Sequence, residues 1–112
     1  MAQILYGAPE PNKDLVAQLS EGHQVNFQNK WLDFRFELIR CKGSLLRKYD
    51  LLFYDTRLCR ESLSPLERAS FFNREMRGFL EGLPIPVSVI VDKGLKGILY
   101  LSSAGKVEYF QE

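Results

Sequence analysis

The sequence lacks the features typical of secreted, membrane-bound or metal-dependent proteins. It has only 2 cysteines and 1 histidine in 112 residues, and Cys41 and Cys59 form no CxxC pair, so neither a zinc-ligand pattern nor a redox motif is present. No segment has the apolar length of a membrane span, and the first residues lack the basic lead and apolar core of a secretory signal. We therefore expect a cytoplasmic protein with no metal, no cofactor and no membrane partner.

Excess charge of either sign is also absent. Lys and Arg number 15 against 14 Asp and Glu, a formal net charge of +1, so no chain-wide field favours a nucleic acid. The densest basic cluster is Arg40, Lys42, Arg47 and Lys48. We interpret it as a solvated face, with a nucleic-acid-binding patch as the alternative.

The usual catalytic patterns are missing as well. The sequence contains no phosphate-binding glycine loop, no metal-ligand histidine pair and no serine nucleophile elbow. With 46% apolar residues, residues 1–112 suffice for one domain with a single core. We expect a binding or signalling module rather than an enzyme, and a site built from Glu10, Asp55 and Lys93 is the enzymatic alternative.

Short apolar runs predict the strands of this domain. Residues 3–6, 51–54 and 87–91 are mainly apolar and bounded by turn residues, which is typical of buried strands. Residues 25–27 alternate as in a further strand.

Two helix starts are well marked. Asn12 is a good N-cap, and Ser64-Pro65-Leu66-Glu67 has the form of a capping box with proline in the first turn. The second helix should run to about Gly82. Its expected core-facing stripe is Leu66, Phe72, Met76, Phe79 and Leu80.

Residues 31–41 fit two periods at once. Trp31, Phe34 and Leu38 follow helical spacing, whereas Leu32, Phe34, Phe36 and Leu38 alternate with charged residues as in a strand. We favour a helix capped by Asn29, and a strand that pairs with residues 25–27 is the alternative.

The alternation of strands and helices predicts a three-layer α/β fold, a mostly parallel sheet with helices on both faces. Turns at residues 92–94 and 103–106 flank residues 98–101, which suggests an antiparallel C-terminal hairpin ending at residues 107–110. Function in such sheets usually lies at the carboxyl ends of the strands. Those ends are residues 7–10, 55–57 and 92–93.

Three segments resemble the receiver domain of bacterial response regulators, a flavodoxin-like fold. ILYGAPEPNKDLVAQLSEGHQV resembles that family's first strand, acidic loop and first helix. KYDLLFYDTRL resembles its third strand with the phosphoaccepting aspartate, and IPVSVIV its fourth strand.

The resemblance implies a degenerate site. Asp55 falls at the phosphoacceptor position, and Glu10 falls beside the acidic pair that holds magnesium in the family, but Ala8 and Pro9 replace the pair itself. Phosphoryl transfer to a carboxylate needs a divalent cation to neutralise charge, and these two residues cannot ligate one. We therefore expect Asp55 to be inactive.

The other functional positions also depart from the family pattern. Val91 stands where the family has Ser or Thr, and Leu101 where it has lysine; Arg57, Asp92 and Lys93 are further loop contacts. The resemblance thus implies a pseudo-receiver that acts through dimerisation or a protein partner. A redox-inactive thioredoxin-like module, with a cis Pro86 in a mixed sheet, is the remaining alternative.

Overall fold

In the part of the chain that the structure describes, five strands form one sheet in the order β2-β1-β3-β4-β5. The computed structural model describes residues 1–41, 48–59, 62–91 and 107–111, the last segment as backbone only. The strands are β1 (Gln3–Gly7), β2 (Gln24–Gln28), β3 (Leu51–Asp55), β4 (Val87–Val91) and β5 (Val107–Gln111). All described pairings are parallel, and this strand order is that of flavodoxin-like sheets. The predicted fold class is confirmed.

The helices connect successive strands. They are α1 (Lys13–Ser20), α2 (Trp31–Leu38), α3 (Pro65–Phe71) and α4 (Arg77–Glu81). A 3-10 turn, Ile39–Cys41, extends α2, and a π-helical turn, Phe72–Met76, joins α3 to α4. Single π turns inside helices often mark functional surfaces.

The predicted helix starts are confirmed. The Asn12 side chain accepts a hydrogen bond from the Leu15 amide at 3.0 Å, which satisfies one of the unpaired donors of the first turn. Ser64 and Glu67 form the reciprocal capping box, with Pro65 at the first helical position. After α1 ends, Gly22 adopts φ +81°, a conformation that favours glycine.

The two faces of the sheet are unequally filled. Because neighbouring side chains on a strand point to opposite faces, Leu5 faces the larger core and Tyr6 faces the other side. On the Leu5 face, the ring of Tyr54 is stacked against those of Phe34 in α2 and Phe72. The distances between ring centroids are 5.3 Å and 6.3 Å. On the opposite face, the Tyr6 hydroxyl accepts a hydrogen bond from the backbone amide of Asn12, the N-cap residue of α1. Helices therefore lie on both faces, as predicted.

Residues 31–41 are helical, which settles the ambiguity of that segment in favour of the helix. The predicted cap is wrong by one residue: Lys30, not Asn29, occupies the N-cap, and its side chain makes no capping hydrogen bond. The core-facing stripe predicted for the helix that Ser64 caps also needs a correction. Leu66 is 66% exposed, whereas Phe72, Met76 and Leu80 are buried, because Leu66 lies in the first turn, on the solvent side of α3.

The last described strand changes the expectation for the C-terminus. β5 pairs with β4 in parallel, Val107 opposite Val87, rather than as the outer arm of an antiparallel hairpin. Residues 98–101, the predicted partner in that hairpin, lie outside the described residues. The described sheet is not mixed, and no peptide bond in the described ranges, that of Pro86 included, is cis. The thioredoxin-like alternative therefore does not describe this fold.

None of the helices in the described ranges is both long and apolar enough to cross a bilayer.

Candidate functional site

The carboxyl ends of β1, β3 and β4 meet at one edge of the sheet, which we call the rim. Gly7 of β1 lies opposite Tyr54 of β3, and Asp55 of β3 lies opposite Ile90 of β4. The ends of these three strands are therefore adjacent, as parallel pairing requires. This is the edge at which the sequence predicts function.

Gly7 brings α2 close to the rim. A Cβ atom at this position would overlap the ring of Phe34, reaching within 2.9 Å of its Cγ atom. The end of β1 therefore requires glycine for lack of space rather than for backbone conformation. The same contact fixes α2 against the strand that leads into the predicted acidic loop.

Asp55 closes a tight turn after β3. The residue is 1% exposed, and its Oδ1 atom accepts a hydrogen bond from the Arg57 amide at 2.9 Å. Its carbonyl oxygen accepts another from the Leu58 amide at 2.9 Å. An aspartate that binds the amide two residues ahead is a common turn-stabilising arrangement. The carboxylate thus has a structural role.

The Arg57 guanidinium also occupies the Asp55 carboxylate. Its Nη2 atom lies 2.8 Å from Oδ2, and its Nε atom lies 3.1 Å from Oδ1 and 3.2 Å from Oδ2. The Asp55 side chain is 2% exposed and that of Arg57 is 33% exposed. The carboxylate is therefore shielded from solvent, whereas the guanidinium is partly accessible to it. A forked guanidinium–carboxylate contact is the strong form of the ion pair. The chain's own cation therefore neutralises Asp55.

The loop after β1 offers little negative charge. Ala8 is fully buried, and its amide donates to the Gln28 carbonyl at 3.1 Å, so its backbone is fixed on β2. Pro9 and Glu10 are exposed. The described part of the chain contains no group of three His, Cys, Asp or Glu side chains that could hold a metal ion.

Thr56 links the rim to β4. Its amide and its hydroxyl both donate to the Ile90 carbonyl, at 3.0 Å and 3.1 Å. The buried Val91 follows at the end of β4, where the resemblance places it. Sequence reasoning missed this role of Thr56, although a hydroxyl residue directly after a strand-ending aspartate was the available signal.

Several predicted site residues lie outside the described ranges. These are Lys42 and Arg47 of the basic cluster, and the loop residues Asp92 and Lys93. The two described members of the basic cluster are adjacent, since the Lys48 amide donates to the Arg40 carbonyl at 2.7 Å. The Arg40 Nε atom lies 3.7 Å from Glu37 Oε2. The basic patch and the inactive role of Asp55 stay predictions.

Both cysteines are free thiols. Cys41 is buried, and burial, together with the charge of Glu37, raises the pKa of its thiol to about 12. Cys59 is half-buried near the rim, where its Sγ atom lies 3.3 Å from the Thr56 carbonyl oxygen. A thiol with such a raised pKa is a poor nucleophile at neutral pH, so Cys41 belongs to the core.

Comparison with known proteins gives one informative likeness. No family model matches the chain, and no curated protein matches it. A crystal structure of a response regulator receiver domain protein from Clostridium thermocellum matches with a TM-score of 0.60 at 15% sequence identity. The match covers 100% of this chain and 82% of that one. The chain has a receiver-like fold. At this identity the likeness establishes the architecture alone, and the function of the receiver-like rim has to be argued from its residues.

Proposed function

We propose that the chain is a regulatory, non-enzymatic module of the cytoplasm that binds a protein partner or a second copy of itself, and that phosphorylation of Asp55 does not switch it. The receiver-like fold supports the signalling part of this proposal, because that architecture presents broad helical faces around a functional rim. The residues of the rim support the second part. They hold a completed ion pair where an active site would need an accessible carboxylate.

The observation that carries the proposal is the contact between Asp55 and Arg57. A phosphoryl donor would have to displace a guanidinium that makes three contacts of 2.8–3.2 Å with a buried carboxylate. It would also have to approach without a divalent cation, since Ala8 and Pro9 supply no ligand side chain. Asp55 therefore stabilises the turn after β3 instead of receiving phosphate.

A phosphorylation assay tests this directly. The full chain is incubated with acetyl phosphate and Mg²⁺, and its intact mass is measured at low pH, with an active receiver domain treated in parallel. We expect no phosphoryl adduct on this chain under conditions that label the active domain. An adduct that disappears in the Asp55→Asn variant would refute the proposal.

The nucleic-acid alternative has a separate test. Among the described residues, this alternative rests on Arg40 and Lys48, which are adjacent. The Arg40 Nε atom also lies 3.7 Å from the Glu37 Oε2 atom. Binding to the phosphate backbone would weaken steeply as salt is added. We expect no salt-dependent binding of duplex or single-stranded oligonucleotides.

A further inference from the structure

Helix α2 is apolar on two opposite faces. Its inner face, formed by Trp31, Phe34 and Leu38, is buried against the sheet. Its outer face exposes Leu32 by 75%, Phe36 by 63% and, in the 3-10 turn, Ile39 by 50%. A surface helix normally has a polar outer face. The outer face of α2 therefore departs from what folding alone requires.

The three exposed residues form one continuous stripe, which we call the α2 stripe. Positions 32, 36 and 39 have the spacing i, i+4 and i+7, which places them on the same side of a helix. Single exposed apolar residues need no explanation, whereas a contiguous row of large ones marks an interaction surface.

A cavity lies beside the α2 stripe. It has a volume of about 260 Å³, and a cavity of about 150 Å³ is known to accept a benzene ring. Ile39 belongs both to the stripe and to the cavity lining. The other apolar lining residues are Trp31 and Leu38 of α2, and Phe71, Met76 and Phe79 of the α3–α4 segment. The surface therefore combines a ridge with a hollow that can hold an aromatic side chain.

The charges beside the stripe indicate its occupant. Asp33 lies in the first turn of α2, and Arg40 lies in the 3-10 turn at the opposite end; both are exposed. Helical rotation, about 100° per residue in α2 and about 120° in the 3-10 turn, places both residues on the same flank of the stripe. If two copies of α2 pack antiparallel about a two-fold axis, each flank lies against the same flank of the other copy, so Asp33 of each copy comes next to Arg40 of the other.

The opposite flank is compatible with the same arrangement. Arg35 lies on that side, near the centre of the stripe, where two copies would bring their arginines close. Glu75 lines the same cavity as Arg35, so each copy supplies a negative charge there. Two-fold symmetry requires a self-complementary patch, and the pairing of Asp33 with Arg40 at both ends of the α2 stripe meets that requirement.

We propose that the α2 stripe is a homodimer interface, in which two copies of α2 pack antiparallel and Phe36 of each copy is buried against the stripe of the other. This inference deepens the proposed function by naming the partner as a second copy of the chain. The two can fail separately, because the oligomeric state and the phosphoryl adduct are measured independently.

Sedimentation equilibrium of the full chain, from low micromolar to near-millimolar concentration, tests the interface. We expect a monomer–dimer equilibrium whose dissociation constant rises at least about tenfold in Phe36→Ser, since buried aromatic anchors dominate interfaces. The matched control is Leu66→Ser, which removes an equally exposed leucine, 66% exposed, from α3. It should leave the dissociation constant unchanged. A chain that stays monomeric throughout, or a dimer that Phe36→Ser does not weaken, would overturn the proposal.

Charge reversal tests the antiparallel arrangement. Asp33→Arg and Arg40→Asp should each weaken self-association about tenfold, because each creates two like-charge contacts per dimer. An equimolar mixture of the two variants should recover dimers, since both contacts of the mixed dimer then join a basic side chain to an acidic one. Circular dichroism of each variant checks that α2 still forms. Failure of the mixture to recover dimers would contradict the antiparallel geometry.

Discussion

The rim and the outer face of α2 differ in whether their side chains already have partners within the chain. At the rim, the buried Asp55 carboxylate has a guanidinium and a backbone amide as partners. On α2, a row of large apolar side chains remains exposed to solvent. Polar groups that are already paired gain little from a new ligand, whereas exposed apolar area gains from any partner that covers it. The apolar area open to a partner therefore lies on α2, apart from the rim, where the charged groups are already paired.

The largest expected contrast lies within α2 itself. Phe34 is fully buried and stacked on Tyr54, whereas Phe36, two residues later, is 63% exposed. We expect Phe34→Ala to lower the free energy of unfolding by about 3–5 kcal/mol, and Phe36→Ala to change it by less than about 0.5 kcal/mol. Urea denaturation of the two variants measures both values. A large loss in Phe36→Ala at concentrations where the chain is monomeric would show that its ring is part of the fold.

The ion pair at the rim should respond unequally to removal of its two partners. Arg57→Ala leaves a buried carboxylate without a counterion, and we expect a loss of about 2–4 kcal/mol in the free energy of unfolding. Asp55→Asn should cost less, about 1–2 kcal/mol, because the amide oxygen still accepts from the Arg57 amide and the guanidinium reaches solvent. Chemical denaturation at neutral pH tests the order. Equal losses would contradict the burial asymmetry.

Much of this fold could be predicted from the sequence, because its signals are local. The caps at Asn12 and Ser64 and the apolar runs of β3 and β4 depend on neighbouring residues only. The parallel pairing of β5 with β4 depends on contacts distant in sequence, and alternation alone did not predict it. At the rim, Asp55 and Arg57 were identified as site residues, but their mutual contact was missed, because a turn has to fold Arg57 back onto Asp55.

The ambiguity of residues 31–41 had a physical cause. A helix with apolar residues on two opposite faces also satisfies the alternation expected of a strand, so Leu32 and Phe36 fitted the strand pattern while Trp31 and Phe34 fitted the helix. Sequence periodicity therefore contained the signal of the α2 stripe. Periodicity alone does not show which set of residues is buried. In the structure Trp31 and Phe34 are buried, whereas Leu32 and Phe36 are exposed.

Gly7 lies at the rim end of β1 and contacts Phe34 on the inner face of α2. Substitution of this residue should have an effect of intermediate size on stability. Gly7→Ala should lower the free energy of unfolding by about 1–3 kcal/mol, because the new methyl group overlaps the Phe34 ring. The matched control is Gly78→Ala in α4, where an added Cβ meets nothing within 4 Å. That variant should gain about 0.5–1 kcal/mol through helix propensity. If both variants behave alike, the close approach of α2 to the rim is wrong.

A further expected effect concerns alkaline pH. The pKa of the Cys41 thiol is raised from 9.0 to about 12 by burial and by Glu37. Folding therefore favours the neutral thiol, and this stabilisation is fully present below about pH 9 and is lost as pH rises toward 12. We expect the free energy of unfolding to fall over that range, and to fall less steeply in Cys41→Ala. An identical slope in both proteins would contradict the burial of Cys41.

The same burial predicts how the two thiols react. Near pH 8, a thiol reagent should modify the half-buried Cys59 first, and Cys41 only on unfolding.

A magnesium titration tests the central claim about the rim most directly. Backbone amide resonances of the full chain are followed as Mg²⁺ is added to millimolar concentration, with those of Glu10, Asp55 and Arg57 as reporters. We predict no saturable shift at these positions, because Arg57 already neutralises Asp55 and the loop after β1 offers only an exposed Glu10. Saturable shifts centred on Glu10 and Asp55 would mean that the rim binds a divalent cation, and the account of a receiver-like fold without its phosphoryl switch would be wrong.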